Sequence, residues 1–175
     1  MMTGLHQAWI WLSRIGHCRG FGIQSPTDYR FVRYVVNEHW PYYAYAHLGK
    51  DDDRLRRKLG RLCFRLANHL QPKAVADLTE MYAEYLAAGC KRADVTHALT
   101  DDTTFVIAPP ADSMGAMLAR CGNGTTLMVE DIGHHASAWQ QVMDYSRATV
   151  TFNLYYCGIA FFDPQRQKKN YIVNF

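Results

Sequence analysis

No stretch of this 175-residue chain approaches the roughly 20 consecutive apolar residues of a membrane-spanning helix, so no membrane association is expected. The N-terminal run Ala8-Trp9-Ile10-Trp11-Leu12 is followed rather than preceded by positive charge and is not expected to act as a signal peptide. No C-x-x-C occurs among the five widely spaced cysteines, Cys18, Cys63, Cys90, Cys121 and Cys157. An odd number cannot pair completely, and the expectation is a reducing, cytoplasmic setting. An excess of one charge is missing too. Nineteen Lys+Arg against sixteen Asp+Glu leave +3, so any basic binding site has to be local. No P-loop and no G-x-S-x-G is present, which leaves nucleotide-triphosphate and serine-hydrolase chemistry unsupported. There is no internal repeat, low-complexity tract or long linker.

What is present describes a globular domain. Hydrophobic residues make up 49% and charged residues 20%, which excludes a disordered or acidic solvating segment. The first 70 residues read as helical. Ser25-Pro26-Thr27-Asp28 offers a hydroxyl cap, a proline at the first helical position and an acid three residues after the cap, ahead of Phe31, Val32, Val35 and Val36. Trp40-Pro41 ends that helix. Asp51-Asp52-Asp53 places negative charge at the start of a second helix, in which Leu55, Leu59, Leu62, Leu66 and Leu70 recur at helical spacing.

Beyond Gln71-Pro72 short apolar runs alternate with helical segments. Ala74 to Leu78, Val95 to Leu99, Phe105 to Ala108 and Leu127 to Glu130 read as strands buried on both faces, with helices near 80–88, 112–120 and 135–146. This predicts a mainly parallel sheet with right-handed crossovers. Thr149 to Tyr155, Gly158 to Phe162 and Tyr171 to Phe175 are strands with short links, for which antiparallel pairing is expected. The division is a helical cap over 1–72, within the same domain, and a Rossmann-like α/β core over 73–175.

Four segments carry a resemblance: Phe21-Gly22-Ile23-Gln24-Ser25-Pro26, Tyr42-Tyr43-Ala44-Tyr45, Leu66 to Lys73, and Tyr156-Cys157-Gly158-Ile159-Ala160-Phe161-Phe162. From about residue 17 onward the chain resembles class I S-adenosylmethionine-dependent methyltransferases, closest to a bacterial O-methyltransferase-like branch with a helical N-terminal cap. The resemblance implies a reduced Rossmann-like methyltransferase sheet. It also implies cofactor-binding positions at Asp77, ending the first strand, and at Glu130 and Asp131, ending the family's fifth.

The departures from the family decide the functional expectation. Asp77 is followed by Thr79-Glu80-Met81-Tyr82-Ala83-Glu84, with no glycine before Gly89, where the family has a glycine-rich turn that lets the backbone approach the cofactor. Side chains of Glu80 and Met81 are expected to occupy that space. The family's ribose-binding acid ends the second strand; Asp94 precedes its strand here, and although Asp101 and Asp102 follow it, no ribose role is assigned to them. Ala108-Pro109-Pro110 stands where metal-using members place one of two acids. Glu130-Asp131 with His134 and His135 could form a metal cluster; the plainer expectation makes Asp131 a helix cap and leaves the histidines solvated, with no metal held.

Arg57, Arg61 and Arg65 lie one turn apart opposite the leucine stripe and are expected to form a solvated face, as Arg166, Lys168 and Lys169 are expected to serve solubility. The N-terminal aromatics Trp9, Trp11, Phe21, Tyr29, Phe31, Tyr34, Trp40, Tyr42, Tyr43 and Tyr45 are expected to pack as core, any exposed excess marking a dimer surface. Cys121-Gly122-Asn123-Gly124 reads as a turn. The expected function is that of a methyltransferase-like protein that has lost S-adenosylmethionine binding and catalysis, uses no cofactor and acts through contacts with another copy or another protein. An active, divergent methyltransferase using S-adenosylmethionine and a nucleic-acid-binding module built on the basic helix are the alternatives.

Overall fold

The computed structural model describes residues 4–18 and 20–175. Its sheet has seven strands in the order β2-β1-β3-β4-β6-β5-β7. These are β1 (Ala74–Asp77), β2 (Asp94–Thr96), β3 (Thr103–Ala108), β4 (Thr126–Glu130), β5 (Val150–Asn153), β6 (Cys157–Phe161) and β7 (Lys169–Ile172). β1 lies parallel to β2 and β3, β3 parallel to β4, and β6 antiparallel to both β4 and β5. The chain is α/β, with a mostly parallel sheet compatible with a Rossmann-like arrangement. The expected antiparallel C-terminal end needs one correction: β7 runs parallel to β5. Both edges of β6 are already paired, with β4 and β5, so the chain leaving β6 must pass over to the free edge of β5.

The helices are α1 (Gly4–Ser13), α2 (Pro26–Phe31), α3 (Arg54–Leu70), α4 (Ala83–Gly89), α5 (Gly115–Arg120) and α6 (Ala136–Asp144). Ser25 caps α2, its hydroxyl accepting from the Asp28 amide at 3.3 Å, with Pro26 in the first turn. The helix continues through a wider π-type turn at Val32–Val36. Asp53 caps α3 by accepting from the Arg56 amide at 2.8 Å, and Leu59, Leu62 and Leu66 of the leucine stripe are buried. Gln71 ends α3 in the left-handed conformation, with φ 47°, directly before Pro72.

Strand alternation divides the core into two layers. Val75, Phe105, Ile107, Met128 and Ile159 pack with residues of α2, α3 and α4. Val106, Ala108, Leu127, Val129 and Ala160 pack with α5 and α6. Gly158 of β6 lies so close under the Trp139 ring of α6 that a side chain there would enter the indole.

Three surface expectations are overturned. Most of the N-terminal aromatics are not core: Trp9 is 69% and Phe21 79% exposed, and Trp11, Tyr29, Tyr34, Trp40 and Tyr43 are exposed as well, while Phe31 is buried and Tyr42 and Tyr45 half-buried. Core space over the sheet is taken by the aliphatic faces of α2 and α3. The arginine row is not a solvated face either. Arg65 is 7% exposed and donates to the carbonyls of Val35 (2.6 Å) and Val36 (3.0 Å), Arg57 donates to those of Gly49, Lys50 and Asp52, and Arg61 stacks over Tyr45. These guanidinium groups clamp the strandless segment between α2 and α3 onto the helix. Arg166 likewise pairs with buried Asp28, which also accepts from the Tyr171 hydroxyl at 2.9 Å, whereas Lys168 and Lys169 stay exposed.

Candidate functional site at the carboxyl ends of the strands

From β1 the chain turns to β2 on one side and then crosses to β3 on the other, so strand order reverses beside β1. In open α/β sheets the crevice outside the carboxyl ends at such a reversal is the natural ligand position. Asp77 ends β1 there, Ala108 ends β3 and Glu130 ends β4.

Asp77 is fully buried and its carboxylate is occupied by its own turn. One oxygen accepts from the Thr79 amide (3.2 Å) and hydroxyl (2.6 Å), the other from the Tyr82 amide (2.7 Å). Its backbone carbonyl lies 3.1 Å from Nδ1 of His97, just beyond β2. Glu80, inside this turn, has φ 59°. The backbone therefore takes a left-handed conformation natural to glycine with a glutamate in place, at a cost of roughly 1–2 kcal/mol.

The side chain entering the strand ends is not the expected one. Glu80 and Met81 are exposed, whereas Tyr82 is 1% exposed and its hydroxyl donates to Oε1 of Glu130. A buried polar chain thus runs Asp77–Tyr82–Glu130 from β1 to β4, roofing the reversal point. Burial pushes the Glu130 carboxyl up, the Tyr82 hydrogen bond pulls it partly back, and the neighbouring charges of Asp77 and Asp131 raise it further. Burial also pushes the Tyr82 hydroxyl well above its ordinary range. Sequence reasoning missed Tyr82 because nothing in residue type separates it from the other aromatics; its place five residues after a strand-ending acid was the available signal.

Asp131 lies just beyond the end of β4, with its backbone in the left-handed region at φ 48°, and is exposed. It is not a helix cap: α6 is capped at His135 with no side-chain hydrogen bond, and Asp131 instead lies 2.6 Å from Nδ1 of His134 and 3.4 Å from Nδ1 of His135. The two imidazoles are about half exposed. Among the described residues no group of three or more His, Cys, Asp and Glu side chains is disposed to hold a metal ion. Asp94 opens β2 and is exposed, as are Asp101 and Asp102 on the turn before β3.

Two clefts lie elsewhere. One of about 370 Å³ sits between α1, the first turns of α3 and the β5–β6 turn; another of about 560 Å³ lies beside Asp28, Arg166 and Tyr171. Neither is lined by Asp77, Tyr82 or Glu130. All five cysteines are unpaired, and none of the described helices is long and apolar enough to cross a membrane. In comparisons with protein-family models, curated proteins and solved structures, nothing matches this chain.

Proposed function

We propose that this chain is a methyltransferase-like Rossmann domain that does not bind S-adenosylmethionine and works through protein contacts. The observation that carries the reading is Tyr82 seated between Asp77 and Glu130, where a bound cofactor would need open space and free acceptors. The position of the strand reversal, the acid ending β1 and the single antiparallel strand β6 support the likeness of the sheet. The occupied Asp77 carboxylate and the alanine at the end of β3 support the loss of chemistry. Arg57, Arg61 and Arg65, engaged with backbone and aromatic partners, speak against a nucleic-acid surface on α3.

The contacts are assigned to α1 and the residues following it, where Trp9, Trp11 and Leu12 are exposed on a stretch, Ala8 to Ser13, that carries no charge, and Ile15 is exposed just beyond Arg14. An uncharged, aromatic-rich face has the composition of a homodimer centre, and it complements itself without any charge pattern in the partner. A second copy of this chain is therefore its occupant.

The cofactor half of this reading is tested by melting the protein with S-adenosylmethionine and with its demethylated product. A ligand binding the native state at a hundred times its dissociation constant adds about 2.7 kcal/mol, which moves the midpoint by several degrees. No movement is expected with either compound; a rise that saturates with concentration overturns the proposal.

A further inference from the structure

Beside the polar roof, the first cleft collects positive charge without an answering acid. Its lining includes Arg14, Arg54 and Lys58 and the apolar or aromatic walls of Trp11, Leu55, Tyr155 and Tyr156, with no acidic side chain. Among the described residues none of these three cations is within ion-pair distance of a carboxylate. Arg14 is fixed in place, its guanidinium donating to the Asn153 carbonyl (3.1 Å) and Oδ1 (2.8 Å) and lying 5.3 Å over the Tyr155 ring. Among the described residues Lys58 is held by aromatic faces, its Nζ 5.0 Å from the Tyr156 ring centre and 4.3 Å from that of Phe175.

The turn that supplies the aromatic wall is strained. Tyr155 has φ 71°, in the left-handed region, and its ring fills the space beside Gly133, where even a methyl group would come within 3 Å of it. A half-buried ammonium with no acceptor is unfavourable by itself, and burial pushes Lys58 down to about 8.

We propose that this cleft binds a small aromatic molecule bearing an anionic group, a carboxylate or a phosphate, with the anion against Lys58 and Arg54 and the ring between Leu55 and Tyr156. The volume falls in the range of small-molecule sites, and the pattern of apolar walls with a few convergent charges is theirs. Arg14 supplies fixed positive potential while its own donors stay on the β5–β6 turn. None of Asp77, Tyr82 and Glu130 lines this cleft, so a probe bound here is read separately from S-adenosylmethionine binding at the reversal beside β1.

The test is calorimetry of the full chain with 2-naphthoate, 1-naphthyl phosphate and the neutral 2-naphthalenemethanol. One-to-one binding of either anion with no binding of the alcohol is expected; which anion binds tells carboxylate from phosphate. Lys58→Met should weaken that binding about ten-fold or more, the loss of one charged hydrogen bond, while Arg120→Gln on α5 leaves it unchanged. A parallel measurement does not depend on the variants folding: trinitrobenzenesulfonate should label Lys58 ahead of the other lysines, and the bound anion should protect it. Equal binding of the alcohol, unchanged affinity in a folded Lys58→Met variant, or Lys58 labelling that no probe slows would each overturn the proposal.

Discussion

Tyr82 and Glu130 are two residues whose joint burial makes each dependent on the other. Glu130 titrates higher in the folded protein than in the unfolded chain, so between the two values the native state holds a proton that the unfolded chain has released. The stability from this group is full below the unfolded value of about 4.3 and falls as pH rises through the folded one. Tyr82→Phe removes the hydroxyl that stabilises the charged carboxylate and drives the folded value higher still. The expected loss is about 1–3 kcal/mol near pH 8 and a smaller one near pH 5, read from urea unfolding at both; an equal loss at the two would deny the linkage. The acids at Asp77 and Glu130 were legible in the sequence as strand-ending residues. Their partner was not, because the hydrogen bond spans 48 residues and joins the turn after β1 to the end of β4, a strand that is not β1's neighbour in the sheet.

Between elements, the structure is held by polar clamps that composition presents as ordinary surface charge. Asp28 begins as the expected acid of a helix start, yet its carboxylate meets Arg166 and Tyr171 from the loop before β7 and from β7 itself, fastening α2 to the last strand. Arg166→Met leaves Asp28 buried with only the tyrosine hydroxyl, and a loss of about 3 kcal/mol is expected by chemical denaturation. Arg166→Met combined with Asp28→Asn should recover part of it, as a pairwise interaction requires. Packing gives a second case. Gly158→Ala places a methyl group in the Trp139 ring and should cost about 1–3 kcal/mol, since both β6 and α6 are fixed by their neighbours. Helix starts at Ser25 and Asp53 and the unbroken apolar runs of β3 and β4 were readable because capping and burial on both faces leave local marks in the sequence. The direction of β7 was not, because it follows from which sheet edge remains free after β4 and β5 have taken both sides of β6.

On the scale of the whole molecule, a mostly parallel sheet filled on both faces leaves its ligand position at the reversal beside β1 closed, and its aromatic surface at the N-terminal end open. Sedimentation equilibrium should show a dimer that Trp9→Lys with Trp11→Lys converts to monomer while the melting of the monomer stays cooperative; a wild-type monomer at every concentration contradicts the assigned contact face. The aromatic density was visible in the sequence, but its exposure was not: residue type alone does not tell a core ring from an interface ring, and the core here is completed by leucine and valine from α2 and α3. On the proposed function, the segment Thr79–Tyr82 is a permanent roof rather than a loop that opens for a cofactor. Amide hydrogen exchange of Tyr82 tests it most directly, since that N–H donates to the buried Asp77 carboxylate at 2.7 Å. The Tyr82 amide is expected to exchange as slowly as those of β1 and β4, at a rate that S-adenosylmethionine leaves unchanged; exchange at loop rates, or slowing when the cofactor is added, would show that the roof opens.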